Sequence, residues 1–431
     1  HEEGGSDRLA GGGHEALMPL GYRFFPQHAW SNEFRLSSPL VRGPLKGRVD
    51  LVAARPAREG DAAVLVLGPG GTRREYPLGP GADRVLAVSA DAAFVLTTQA
   101  PGDGSVSLRL HQKGELARTL ATLNTHLRAV VGPARQAFNY ALKDPERREG
   151  SRQIEGCVLL PPGHVSGARY PLLLDIYPTG RGGSCSTLAD APYPGSVVPD
   201  LWATKGFVYM RPALPLDFAR TGAGPLEGLG DLVDQTIDAL VAEGLVDPGR
   251  IVFYGSSQGG AASLMAAAQS GRASAVISMN GWADFFSHYY GARGLMRYFH
   301  LDQNGGDNRW RYECEMPGDD HYCPFGFGVS AAGAPGLYAR TSPVARAGDM
   351  TAPVMLVHTD LDYFDMAQYD EMFGALYRAG KEAIYVRYWG EGHGLSSPPN
   401  IRDLWQRIDR FLTGAGVLDV EGSESSPGLH P

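Results

Sequence analysis

Gly255-Ser-Ser257-Gln-Gly259 places one serine at the centre of a G-x-S-x-G segment. Ile251 to Tyr254, just before it, are β-branched or aromatic, as a short buried strand requires. The run from Ala261 to Ala268 after it is rich in helix formers. A strand, a sharp turn and a helix around this pattern form a nucleophile elbow, which exposes a serine hydroxyl at a helix N-terminus. Glycines allow the close approach of strand and helix, and the helix end favours developing negative charge. The chemistry such a serine could do is acyl transfer. The alternative is a glycine-rich turn with a capping serine.

A serine nucleophile needs a general base, and the base needs an orienting acid. On this type of scaffold the chain order is Ser, then Asp or Glu, then His. The apolar run 353–358 leads into Thr359-Asp360-Leu-Asp362, so two aspartates compete for the acid. Tyr-Val-Arg-Tyr-Trp389 leads into Gly390-Glu-Gly-His393-Gly, a histidine between glycines on a loop after a strand. His393 is the expected base. His358, at a strand end, is the runner-up and reads better as a satisfied structural histidine. An oxyanion hole needs two donors. The backbone N–H of Gln258 is one, and the Tyr177 hydroxyl, after the apolar run 170–177, is the other candidate; as a rival, Tyr177 is an aromatic capping the sheet. Trp282, Phe285, Phe286, Tyr289 and Tyr290 either line a substrate-binding pocket or pack as core and lid.

These residues need a scaffold, and the chain changes rhythm to provide one. Residues 1–20 are glycine-rich and read as loose. Residues 21–130 form an all-β segment of short apolar runs at about ten-residue spacing, suited to a sandwich or propeller. Residues 131–418 alternate strands (170–177, 207–211, 251–254, 275–280, 353–358, 384–389) with helices (227–243, 366–379, 400–412), the sign of a mainly parallel sheet. Leu229, Leu232, Val233, Ile237, Leu240 and Val241 fall on one helical face. Residues 291–335 interrupt the alternation like an inserted binding loop or lid. Residues 419–431 read as a disordered tail.

Composition narrows the partners. The 431-residue chain carries a formal net charge of −8 and no basic tract, which argues against nucleic acid. No run of about 18 apolar residues spans a membrane. The N-terminus His1-Glu-Glu-Gly-Gly-Ser is not a signal peptide. No cofactor is expected. Cys157 reads as a buried small hydrophobe. Cys314 and Cys323 could pair locally, and a metal site with His321 matches no zinc spacing. Compartment and oligomeric state stay open.

Taken in order, these segments resemble the C-terminal part of a prolyl oligopeptidase family serine peptidase: the strand ending at Tyr177, the elbow at Ser257, Leu356-Val-His-Thr-Asp-Leu-Asp362 and the loop of His393. Thr122-Leu-Asn-Thr-His-Leu resembles the segment that closes the family's propeller. The resemblance implies an α/β-hydrolase domain with a mainly parallel central sheet, preceded by a partial β-propeller. It implies Ser257, Asp362 and His393 as triad, choosing Asp362 over Asp360, with Tyr177 completing the oxyanion hole. Gln258 and Thr359 depart from the family's usual tyrosine and glycine. Asn280-Gly-Trp-Ala-Asp, His358-Thr-Asp-Leu-Asp and Arg387-Tyr-Trp-Gly-Glu-Gly-His-Gly are similar to lasso peptide isopeptidases, which implies a threaded peptide as substrate. A linear-peptide peptidase, a carboxylesterase and a catalytically silent binding module are the other readings. A seven-bladed propeller needs roughly 300 residues, against about 115 before the junction, so either a fragment or blades supplied by another chain are expected.

Overall fold

The computed structural model describes residues 18–19, 51–55, 63–68, 72–77, 84–88, 94–99, 104–112, 115–143, 151–178, 182–183, 185, 198–216, 224–290, 327–362 and 364–419. Two compact units divide the chain at Val131/Gly132. The expectations for the loose N-terminus and the tail beyond 419, for Cys314, His321 and Cys323, and for most of 291–335 lie outside the described residues.

The first unit contains two antiparallel four-stranded sheets, each in simple sequence order. One comprises β1 (Met18–Pro19), β2 (Leu51–Arg55), β3 (Ala63–Gly68) and β4 (Thr72–Pro77). The other comprises β5 (Arg84–Val88), β6 (Phe94–Gln99), β7 (Val106–Gln112) and β8 (Glu115–Leu123). From β2 to β4 and from β5 to β8 the pairing of successive strands follows from short links, since hairpins need only a few residues to reverse.

The second unit is built on one eight-stranded sheet. Its strands are β9 (Ala134–Lys143), β10 (Ser151–Leu160), β11 (Tyr170–Asp175), β12 (Val208–Met210), β13 (Val246–Ser256), β14 (Ala275–Met279), β15 (Val354–Thr359) and β16 (Ala383–Tyr388). The spatial order is β16-β15-β14-β13-β11-β12-β10-β9. From β12 to β16 every neighbour is parallel, while β10 runs antiparallel to both β12 and β9.

Both faces of the central strands are covered, so β11, β12, β14 and β15 are buried at nearly every position, whereas the edge strands β9 and β16 alternate. Successive side chains still divide between the faces. Leu172, Leu174, Ile251, Phe253, Val354 and Leu356 enter one core, and Leu173, Val252, Tyr254, Met355 and Val357 enter the other. Of the helices, α1 (Pro199–Thr204) sends Trp202 into the second core. On the opposite face, α2 (Leu229–Ala242) buries Leu229, Leu232, Val233, Ile237 and Leu240, the stripe read from the sequence. The elbow helix α3 (Gln258–Gln269) is buried nearly all round, which explains its small Ala-rich composition. Then come α4 (Phe285–Tyr290), α5 (Pro335–Thr341) and α6 (Ala367–Arg378), the last packing Tyr369, Met372 and Leu376 into the first core. Finally α7 (Pro398–Gly414) lays Leu404, Trp405, Ile408, Phe411 and Leu412 on the α1 side.

One cysteine expectation is corrected. Cys157 is fully buried, but it is bonded to Cys185 in the loop after β11. Twenty-eight residues separate the two, and no local spacing in the sequence marks the pair.

Candidate active site

In the strand order, β11 and β12 lie to one side of β13, and β14 to β16 to the other, so the chain reverses its direction of travel between β11 and β13. Ligands of open α/β sheets bind at the carboxyl ends of strands beside such a switch. The segment carrying Ser257 lies there, directly between β13 and α3.

Ser257 has φ 63° and ψ −128°, a conformation L-residues rarely hold. The surrounding structure imposes it. Its N–H donates to the Met279 carbonyl at 2.9 Å, and its carbonyl accepts from Gly260 N–H at 2.8 Å. A Cβ at Gly255 would land on the Gly259 carbonyl, and one at Gly259 would lie 2.5 Å from the Ile176 carbonyl and 3.2 Å from the Tyr177 ring. The turn is therefore closed by backbone packed on backbone, and the Tyr177 side chain lies against it. Gln258 opens α3, and the first N–H groups of a helix point along its axis, out of its end. Arg211, at the end of β12, places its guanidinium 5.9 Å from the Tyr177 ring. It donates to Asp175 Oδ2 through Nε (2.9 Å) and Nη2 (2.6 Å), and Tyr209 donates its hydroxyl to the same oxygen at 2.5 Å. Asp175 holds the Arg211 pKa above its ordinary value; burial, reinforced by Asp175, raises that of Tyr209.

Asp362 and His393 are brought together from positions 31 residues apart. His393 Nδ1 lies 2.9 Å from Asp362 Oδ1 and 3.1 Å from Oδ2. Asp362 is fully buried and also accepts the Phe364 N–H at 3.0 Å, while the His393 side chain keeps 11% of its surface exposed. A carboxylate can only accept, so Nδ1–H is the donor, and in the neutral imidazole Nε2 is the acceptor. Asp360 is not beside the imidazole in this pairing. Its Oδ1 accepts the Gly390 N–H at 2.6 Å and its own N–H donates to the Tyr388 carbonyl at 3.1 Å. It fastens the beginning of the histidine loop.

The acid and histidine loops extend the β15–β16 pairing beyond the sheet. Leu361 N–H donates to the Glu391 carbonyl at 3.0 Å, and the Thr359 hydroxyl donates to the Gly392 carbonyl at 2.5 Å. From β14, Asn280 Nδ2 donates to the His393 carbonyl at 2.8 Å. Glu391 is 1% exposed, and its carboxylate accepts from Ser396 N–H (2.8 Å), Ser396 Oγ (3.1 Å), Ser397 N–H (3.0 Å) and Asn400 Nδ2 (2.7 Å). It anchors the loop to the start of α7, where a negative charge is favoured. Residue type and spacing alone assign no role to Asn280, Thr359 and Glu391. Their signal was polarity at positions that a strand end or a tight loop would bury.

His358 is placed as a structural side chain. The ring is fully buried in T-shaped contact with Tyr369, with Nδ1 3.0 Å from the Thr359 amide nitrogen and the Gly281 backbone as a further hydrogen-bond partner. Burial pushes its pKa below the ordinary value, against the opposing pull of Asp362. The aromatic pocket expectation divides. Trp282 and Phe285 are 1% exposed and are core: Trp282 stacks on His288 and meets Phe364, which in turn contacts the His393 ring at 5.5 Å. Tyr289 is half-buried against Tyr338, whereas Phe286 and Tyr290 present surface. Among the described residues no group of His, Cys, Asp and Glu is arranged to hold a metal ion, and no helix is long and apolar enough to cross a membrane.

The mostly parallel sheet between two helical layers, with a strained serine at its switch point, is an α/β-hydrolase domain. Residues 320–416, which carry Asp362 and His393, match the family model described as Prolyl oligopeptidase family. No curated protein matches the chain. Among solved structures, a Mycobacterium tuberculosis puromycin-hydrolyzing peptidase is similar at 19% identity and TM-score 0.54, covering 87% of this chain and 53% of that one. A puromycin hydrolase is similar at 15% identity and TM-score 0.52, covering 86% and 53%. The Pyrococcus horikoshii acylaminoacyl peptidase is similar at 20% identity and TM-score 0.50, covering 88% and 56%. The chain thus spans about half the length of these structures. The family match is confined to residues 320–416, and the likeness to these structures is one of fold.

Proposed function

We propose that the chain is the catalytic part of a serine peptidase of the prolyl oligopeptidase type. Ser257 Oγ attacks an amide carbonyl, and His393 Nε2 takes the hydroxyl proton. Asp362 holds the imidazole through Nδ1 and stabilises the imidazolium. The Gln258 N–H and the Tyr177 hydroxyl receive the oxyanion. Collapse breaks the C–N bond as His393 protonates the leaving amine, and water then repeats the sequence on the acyl-enzyme. The observation that carries this reading is the Asp362–His393 pair in one unit with a serine held at φ 63° on a strand-to-helix turn. The peptidase names of the similar folds support amide over ester chemistry.

The finer reading is an isopeptidase that opens the macrolactam ring of a lasso peptide. It rests on the three segments similar to that group. Two of them supply Asn280 and Thr359, whose side chains bond the histidine loop. The test offers the protein a threaded isopeptide-ringed peptide, a linear peptide of the same sequence and a p-nitrophenyl ester. Ring opening appears as a gain of one water in mass. Cleavage of the linear peptide alone points to an ordinary oligopeptidase, and turnover of the ester alone to a carboxylesterase. Ser257→Ala should lower kcat by about 10⁴ or more, because triad members act as a unit. A fluorophosphonate probe that leaves Ser257 unlabelled would indicate a silent binding module.

A further inference from the structure

We propose that Thr359 is a positioning residue for His393, holding the peptide plane from which the imidazole projects; the proposal rests on the reading of His393 as general base. The Gly392 carbonyl belongs to the peptide bond that ends at the His393 nitrogen. Fixing that plane fixes the ψ of Gly392 and restrains the φ of His393. The histidine lies between Gly392 and Gly394, and glycines restrict backbone rotation least. The loop sequence therefore does not hold the imidazole by itself. Thr359 supplies what the loop lacks. It ends β15, its side chain is fully buried, and its hydroxyl reaches the Gly392 carbonyl at 2.5 Å.

Three features make this bond a positioning device as well as a packing contact. Gly392 is itself buried, so water does not readily replace the hydroxyl. Thr is β-branched and sits on a paired strand, so the direction of its hydroxyl is set by a rigid element. The other tethers act on different atoms. Asp360 holds Gly390 N–H at an exposed site, the Glu391 carboxylate faces α7, and Asn280 takes the His393 carbonyl. Thr359 is thus the side chain that grips the plane immediately before the histidine. Two and three residues further along the same segment, Leu361 and Asp362 take the Glu391 carbonyl and the His393 ring, so one stretch of chain fixes both ends of the imidazole's freedom.

The experiment compares Thr359→Val, Thr359→Ala and Thr359→Ser by p-nitrophenyl acetate hydrolysis and by the rate of fluorophosphonate labelling. Val keeps the shape and loses the hydroxyl; Ala loses it without any possible clash, should Val not fold; Ser restores it. Val and Ala should each lower kcat and the labelling rate about tenfold, with KM within about twofold, and Ser should stay within about twofold of the parent. Val and Ala variants that are less stable to heat yet label and turn over at the parent rate would overturn the proposal, since Thr359 would then serve folding only. Equal slowing in the Ser variant would overturn it as well. Ser257→Ala and His393→Ala run alongside. If they turn over like the parent protein, the catalytic reading fails, whatever Thr359 does.

Discussion

The serine turn and the histidine loop stand near each other through β14, yet they are held by opposite means. The serine turn is fixed by exclusion: Gly255, Gly259 and Gly281 leave no room for a Cβ, and Gly281 would place one 2.7 Å from the Ser257 carbonyl. Backbone groups then close on one another and force Ser257 into its strained conformation. The histidine loop is fixed by attraction. Its peptide groups and imidazole are taken one by one by Asp360, Leu361, Thr359, Asn280 and Asp362, while Glu391 ties it to α7. A packed turn fails abruptly when an atom is added. A hydrogen-bonded loop loses precision bond by bond.

That contrast can be broken most directly at the acid. Asp362→Asn should reduce kcat about 10⁴-fold through the wrong histidine tautomer, with little change in melting temperature. Asp360→Asn should reduce it about tenfold at most, because only a loop-entry bond is weakened. Steady-state kinetics on both variants decides, and a costlier Asp360 change would reverse their roles. Next comes the turn. Gly255→Ala should destabilise the domain by about 3 kcal/mol or more, since the clash is with backbone that cannot swing aside. A thermal melt like that of the parent would show that the turn yields after all. Glu391→Ala should cost about 2–3 kcal/mol by stranding four donors, and should lower kcat less than Asp362→Asn; denaturant titration and kinetics measure the two effects.

The smallest effect is pH-linked. His358 faces Asp362, Tyr369 and His393, and burial lowers its pKa in the fold. The unfolded chain therefore binds the proton first as pH falls below the ordinary imidazole value. Stability is complete above that value and declines below it. Melting temperatures at about pH 7.5 and 5.5 should differ by a few degrees in the parent and by less in His358→Gln. An unchanged difference would remove His358 from the account.

How much of this was legible follows from the same contrast. The elbow could be read because glycines, β-branched residues and alanines mark steric demands at fixed short spacing, and α2 because its apolar stripe repeats with the helix. The roles of Asp360 and Asp362 could not be separated by residue type, since either aspartate follows the same strand. Trp282 and Phe285 look as suited to a pocket as Phe286 and Tyr290, because aromatic character does not report which rings the fold buries. The Cys157–Cys185 bond joined a strand to a loop 28 residues later, a distance at which sequence carries no pairing rule.

The amino-acid order by itself determined the local conformations: where the six parallel strands lie, though not the antiparallel β9 and β10, where a serine must sit on a strained turn, and which loop leaves a histidine between two glycines. Only the tertiary structure decided which carboxylate receives that histidine, which aromatic rings are walled in, and which hydroxyl grips the Gly392 carbonyl. The reason is physical. Steric preferences act between neighbours in the chain, whereas a hydrogen bond forms wherever folding brings donor and acceptor within about 3 Å, however many residues separate them.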